Sequence, residues 1–169
     1  MSELKNPDMK EIVEEFCNES DELIENLYSI LDEFEESENP KELEKFGQII
    51  DRIMGAAKSI GAMKTGQFSE LGKIIGYKSS QTQDAQLLKI THAILSDNIS
   101  IVESLLSNIR KTQEEKVDGI NLEAFSSRMK WLSEKFKNID RSSVAVPGQQ
   151  PSTSQSQNQI DDLLKNLGL

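Results

Sequence analysis

Apolar residues recur at three- and four-residue spacings along most of the chain, the period of a helix face. Ile12, Phe16, Leu23, Leu27, Ile30 and Phe34 form the first such stripe and predict a long helix to about residue 36. Asn6-Pro7 supplies its start, a capping side chain followed by proline at the first helical position. Asn39-Pro40 repeats that signal, with Glu42 placed to close a capping box. It opens a second helix over 40–60, which Gly61 ends. A shorter third helix is predicted over 66–77, where Gly72 and Gly76 suggest close packing or fraying. Ser80 with Gln83 marks a fourth start, followed by Leu87, Leu88, Leu95, Ile99, Val102, Leu105, Leu106 and Ile109. Polar residues 111–119 break that helix. Leu122, Phe125, Met129, Leu132, Phe136 and Ile139 make a fifth stripe. No useful length alternates with period two, so no sheet is predicted. The expected fold is all-α: an antiparallel bundle of about five helices over 1–140.

Beyond residue 140 the pattern changes. RSSVAVPGQQPSTSQSQ over 141–157 is rich in Ser, Gln and Pro, has few large apolar residues, and is expected to be a flexible linker. The tail, 158–169, then offers Asn158 as a cap and the early pair Asp161-Asp162, which suits a helix N-terminus. Ile160, Leu163, Leu164 and Leu167 lie at i, i+3, i+4, i+7, the anchor pattern of a helix that docks in a groove. So short a helix is not stable alone. The tail therefore reads as a peptide that folds on a partner; the other readings pack it on its own bundle or on a second copy.

The net charge of -10 disfavours nonspecific nucleic-acid or anionic-membrane binding and favours a basic patch on a partner. One cysteine, Cys17, gives neither a disulfide framework nor a zinc site, and near the core stripe it reads as an inert buried thiol. The polar, acidic beginning MSELKNPDMKEI is not a signal peptide, and no apolar run approaches a membrane span. These features predict a soluble, cytoplasmic protein. Trp131, beside its helix's apolar stripe, reads as packing or partly exposed.

The stretch QIIDRIMGAAKSIG (48–61) holds the candidate chemistry. On a helical wheel Phe46, Ile49, Ile50, Ile53, Ala57 and Ile60 cluster toward the core. Asp51 points away from them, with Glu44, Gly47, Gln48, Gly55, Lys58 and Ala62 on its side. Two mid-helix glycines cost together roughly 1–2 kcal/mol relative to alanine. An outward face offers no core reason for that cost, so the expectation is a surface cleared for close approach of another molecule around Asp51.

DRIMGAAKSIG over 51–61 resembles the signature of histidine phosphotransfer (HPt) domains, His-x-hydrophobic-Lys-Gly-small-small-x-x-hydrophobic-Gly. Ile53, Gly55, Ala56, Ala57, Ile60 and Gly61 fall in place, and FCNESDELIENLYSILDEFEE is similar to the helix that precedes the signature in chemotaxis kinases. The resemblance covers roughly residues 9–110 and implies a four-helix core that presents this face to a receiver domain. Asp51 stands where the phosphorylated histidine belongs and Met54 where the lysine belongs, which argues against ordinary phosphotransfer. His92, the only histidine, has no Lys-Gly after it and reads as an ordinary helix-side residue.

The tail SQNQIDDLLKNLGL is similar to the C-terminal peptide of the CheZ family of chemotaxis phosphatases, which binds the response regulator CheY. The match runs through Gln-hydrophobic-Asp-Asp-Leu-Leu, Leu167-Gly168 and the apolar Leu169. The family's Asp-x-x-Gly-Gln stretch is not matched at Thr65-Gly66-Gln67, where Met63 replaces the acid. Both resemblances imply the same partner, a CheY-like receiver of two-component signalling. Ile160, Asp161, Asp162, Leu163, Leu164, Leu167 and Leu169 would tether it while the Asp51 face docks. A 17-residue linker spans about 23 Å r.m.s., enough to raise the effective concentration of the second contact.

A receiver phosphatase needs an amide to hold water in line with the acyl phosphate and an acid to engage the receiver. Gln48 and Asp51, at i, i+3, are the expected pair, flanked by Glu44, Gly47, Gly55 and Lys58 as docking surface. No metal site or cofactor is expected on this chain, Mg2+ belonging to the receiver. The alternatives are a non-catalytic pseudo-HPt adaptor that sequesters or localises the receiver, and a homo-oligomer in which the tail is structural.

Overall fold

The computed structural model describes residues 2–142 and 153–169, with side chains over 2–137 and 159–169. Its helices are α1 (Lys10–Ser37), α2 (Lys41–Ser59), α3 (Met63–Ser79), α4 (Ala85–Thr112), α5 (Leu122–Ser142) and α6 (Thr153–Asn166). The described residues contain no strand, so the protein is all-α. No helix among them is long and apolar enough to cross a membrane.

Two compact units are present, Met1–Ile120 and Asn121–Leu169. In the first, α1 packs on α2, α2 on α3, α3 on α4, and α4 returns to α1. Three- to five-residue connections hold sequential helices as antiparallel neighbours, giving a four-helix bundle. Phe16, Leu27, Leu43, Phe46, Ile50, Ile53, Phe68, Leu71, Ile75, Ile99 and Leu105 fill its core. The first unit ends at Ile120, and α5 lies with α6 in the second.

Local chemistry sets the helix ends. Asn6 accepts the Asp8 N–H at 3.0 Å, and a single 3-10 turn (Pro7–Met9) leads into α1. The buried arc of α1 is Val13, Phe16, Cys17, Ser20, Ile24, Leu27, Leu31 and Phe34. Ile12 is 49% exposed and Leu23 and Ile30 are half-buried. At 100° per residue these three sit about 65–85° from the centre of the buried arc, so half of the predicted stripe runs along its edge. Asn39 accepts the Lys41 N–H at 3.1 Å, but Glu42 pairs with Lys45 at 3.1 Å instead of closing a capping box.

Gly61, at φ +82°, ends α2. The Ala62 N–H reaches the Ala57 carbonyl at 2.9 Å and the Gly61 N–H that of Lys58 at 3.2 Å, a Schellman motif. The start of α3 is capped from a distance: Glu115 accepts the Lys64 and Thr65 N–H groups at 3.2 and 2.7 Å and the Thr65 hydroxyl at 2.9 Å. α4 starts at Asp84 rather than Ser80, its carboxylate accepting the N–H groups of Gln86 and Leu87 at 3.1 and 3.2 Å.

In the second unit α6 lies on α5. Phe125, Met129, Leu132 and Phe136 of α5 are buried, as are Ile160, Leu163 and Leu164 of α6; the side chain of Ile139 lies outside the described set. α6 starts at Thr153, inside the stretch assigned to a linker; the rest of that stretch, 143–152, lies outside the described residues. A second Schellman motif closes α6, with Gly168 at φ +77° and the Leu169 N–H on the Leu164 carbonyl at 2.8 Å.

Candidate functional site

The outer arc of α2 carries the predicted site, and the structure sorts its residues into three groups. Glu44 and Gln48 are exposed, and neither side chain has a partner among the described residues. At i, i+4 they stand on adjacent turns, about 6 Å apart at Cβ. Gly55 is also exposed, and a Cβ built there meets nothing within 4 Å. These three form an open strip.

Asp51 and Lys58 belong to a second group, engaged by α3. Lys73 Nζ lies 2.8 Å from Asp51 Oδ1, and the Asp51 side chain is 44% exposed. Lys58 Nζ lies 3.0 Å from Glu70 Oε2, and its stem crosses Gly66, where a Cβ would come within 2.7 Å of Lys58 Cγ. The α2–α3 seam is therefore lined by two ion pairs of opposite polarity. Asp51 is an ion-paired carboxylate rather than a lone acid.

Gly47 and Ala62 form the third group and leave the site. Both are buried. A Cβ on Gly47 would lie 3.1–3.3 Å from the Tyr77 ring of α3. One on Gly76 would lie 2.8 Å from the Leu43 carbonyl oxygen and 3.1 Å from the Gly47 nitrogen. Gly47 and Gly76 let the backbones of α2 and α3 approach, so Gly47 clears space for α3 and not for a partner. On the wheel Gly47 and Gly55 lie about 40° to either side of Asp51, and α3 packs on the Gly47 side.

The tail residues divide as an amphipathic helix should: Ile160, Leu163 and Leu164 are buried, Leu167 and Leu169 half-buried, and Asp161 and Asp162 exposed. The burial is within this chain. Ser126 Oγ and Lys130 Nζ of α5 each donate to the Leu169 carbonyl oxygen at 3.1 Å.

Cys17 is fully buried, and burial pushes its thiol above the usual range against the opposing pull of Arg110. His92 is half-buried and stacked on Phe34 at 6.0 Å between ring centroids, with no partner for Nε2 among the described residues. Trp131 is 40% exposed, with the Lys135 ammonium 5.4 Å from its ring centroid. A cleft of about 440 Å³ between the N-terminal turns, α1 and α4 is lined by Lys5, Cys17 and Arg110. Two of its cations are already spent, Lys5 on Glu114 and Arg110 on Asp21, both at 2.8 Å.

Sequence reasoning passed over Lys73, Glu70, Ser126 and Lys130. Each faces its partner from another helix, and no spacing within one helix records that. The i, i+4 pair Ser126/Lys130 shows only that the two share a face. Comparison of the chain with protein-family models, with curated proteins and with solved structures finds no match.

Proposed function

We propose that the chain binds a CheY-like receiver domain of chemotaxis signalling, through the outer strip of α2 and the C-terminal helix, and hastens loss of the receiver's aspartyl phosphate. The observation that carries this is the exposed, unpartnered Gln48 amide, with Glu44 one turn before it and the bare backbone of Gly55 two turns after. The resemblances of 51–61 to HPt domains and of the tail to the CheZ peptide supply the receiver.

Hydrolysis of an aspartyl phosphate needs a water oxygen to bond phosphorus as the acyl P–O bond breaks, releasing inorganic phosphate and the receiver's carboxylate. The catalyst's task is positioning and electrostatics. The Gln48 carbonyl accepts a hydrogen bond from the water and orients it in line. The supporting acid is Glu44 rather than Asp51, because Asp51 is held by Lys73 while Glu44 is exposed and unpaired among the described residues. Asp51 and Lys73 then form a docking edge. The test is acyl-phosphate lifetime on a phosphorylated CheY-like receiver: shortened by the protein, and restored toward its intrinsic value by Gln48→Ala with binding retained. An unchanged lifetime with the intact protein refutes the phosphatase reading.

The Asp51–Lys73 pair favours a second reading. With its central acid ion-paired to Lys73, the face is a non-catalytic pseudo-HPt adaptor that holds the receiver, and the protein then binds without altering phosphate lifetime.

A further inference from the structure

The three residues that should anchor the tail in a partner are the ones this chain buries itself. Ile160, Leu163 and Leu164 are 0%, 7% and 2% exposed, on the helix that packs against α5. The contact is also anchored at the far end. Gly168 turns the chain through its positive φ, and the Leu169 carbonyl oxygen meets both Ser126 Oγ and Lys130 Nζ. Those donors stand one turn apart on α5, and the Lys130 ammonium faces the negative end of the α6 dipole. One apolar face cannot fill two grooves at once.

We propose that α5 is a latch for the chain's own C-terminal helix, so that capture of a receiver by the tail requires α6 to leave α5. The proposal rests on the receiver-binding reading of the tail and adds a regulatory step to it. The docked tail is closed, the released tail is competent, and whatever weakens the Ser126/Lys130 clasp raises partner affinity. Asp161 and Asp162 stay exposed in the closed state, so a basic partner surface can meet them before the anchors transfer.

The test uses the full chain carrying Ser126→Ala with Lys130→Glu; Lys130 is exposed, so its replacement leaves the apolar packing of α5 in place. A control, Lys135→Glu, makes the same charge change on α5 at a residue that reaches over Trp131. Hydrogen exchange reads the latch without any partner: amides of 160–169 should exchange about tenfold faster in the double variant and at the parental rate in the control. Titration with a phosphorylated CheY-like receiver reads the competition: apparent affinity should rise about fivefold or more as the competent fraction grows. Unchanged exchange overturns the latch. Faster exchange with unchanged receiver affinity overturns the competition. Faster exchange with no receiver binding by any variant also removes the competition, and marks the receiver reading beneath it as the part that failed.

Discussion

Replacing Gly55 by alanine separates helix stability from docking. The backbone there is ordinary α-helix, the position is exposed, and an added Cβ finds no atom within 4 Å. Only helix propensity changes inside the molecule, so Gly55→Ala stabilises the first unit by about 1 kcal/mol. With roughly 2.1 cal/mol/K of unfolding entropy per residue, a unit of this size gains about 4 °C in Tm. Gly76→Ala is the counterpart. Its methyl would press on the Leu43 carbonyl at 2.8 Å, a backbone atom that cannot swing aside. The same propensity gain is then outweighed, for a net loss of about 1–2 kcal/mol from overpacking. Differential scanning calorimetry or chemical denaturation reads both. If Gly55→Ala destabilises, the open face has been misassigned. If the face docks a receiver as proposed, a bulkier Gly55→Trp should keep the fold but lower receiver affinity at least tenfold, because close backbone approach would be lost. Receiver binding by Gly55→Trp at parental strength would refute the docking surface.

Other substitutions probe separate contacts. Glu44→Ala should slow receiver dephosphorylation as severely as Gln48→Ala, about 100-fold, whereas Asp51→Asn should change it only severalfold; the readout is phosphate release at saturating receiver. Glu115→Ala strips the start of α3 of its cap and should cost about 1–2 kcal/mol by urea denaturation. Cys17 should resist a thiol reagent until denaturant unfolds the bundle, as followed by thiolate absorbance. Its thiol is raised by burial first of all, so the folded state holds that proton more tightly than the unfolded chain. The associated stability is full below the unfolded thiol's pKa and is lost as pH rises through the folded value. Tyr28 follows the same sign, raised by burial and then by its hydrogen bond to Glu103, and should ionise above free tyrosine in an ultraviolet titration.

Most of the helices are legible in the sequence, because amphipathic period, Asn-Pro starts and Gly61 act within a few residues and need no tertiary partner. The sequence places α1, α2, α3 and α5 within about three residues of their ends, starts α4 too early at Ser80, and puts Glu44 and Gln48 on an exposed face. At the candidate site, what the sequence misses lies where one helix meets another. Gly47 and Gly55 look alike on a wheel, and only the position of α3 makes one a packing notch and the other open surface. Asp51 reads as a bare acid until Lys73 arrives from α3. The tail's anchors are legible as an i, i+3, i+4, i+7 face, but a face says that something must cover it and not what. Here α5 covers it, since burial of apolar area is non-directional and the nearest complementary surface within the unit takes it.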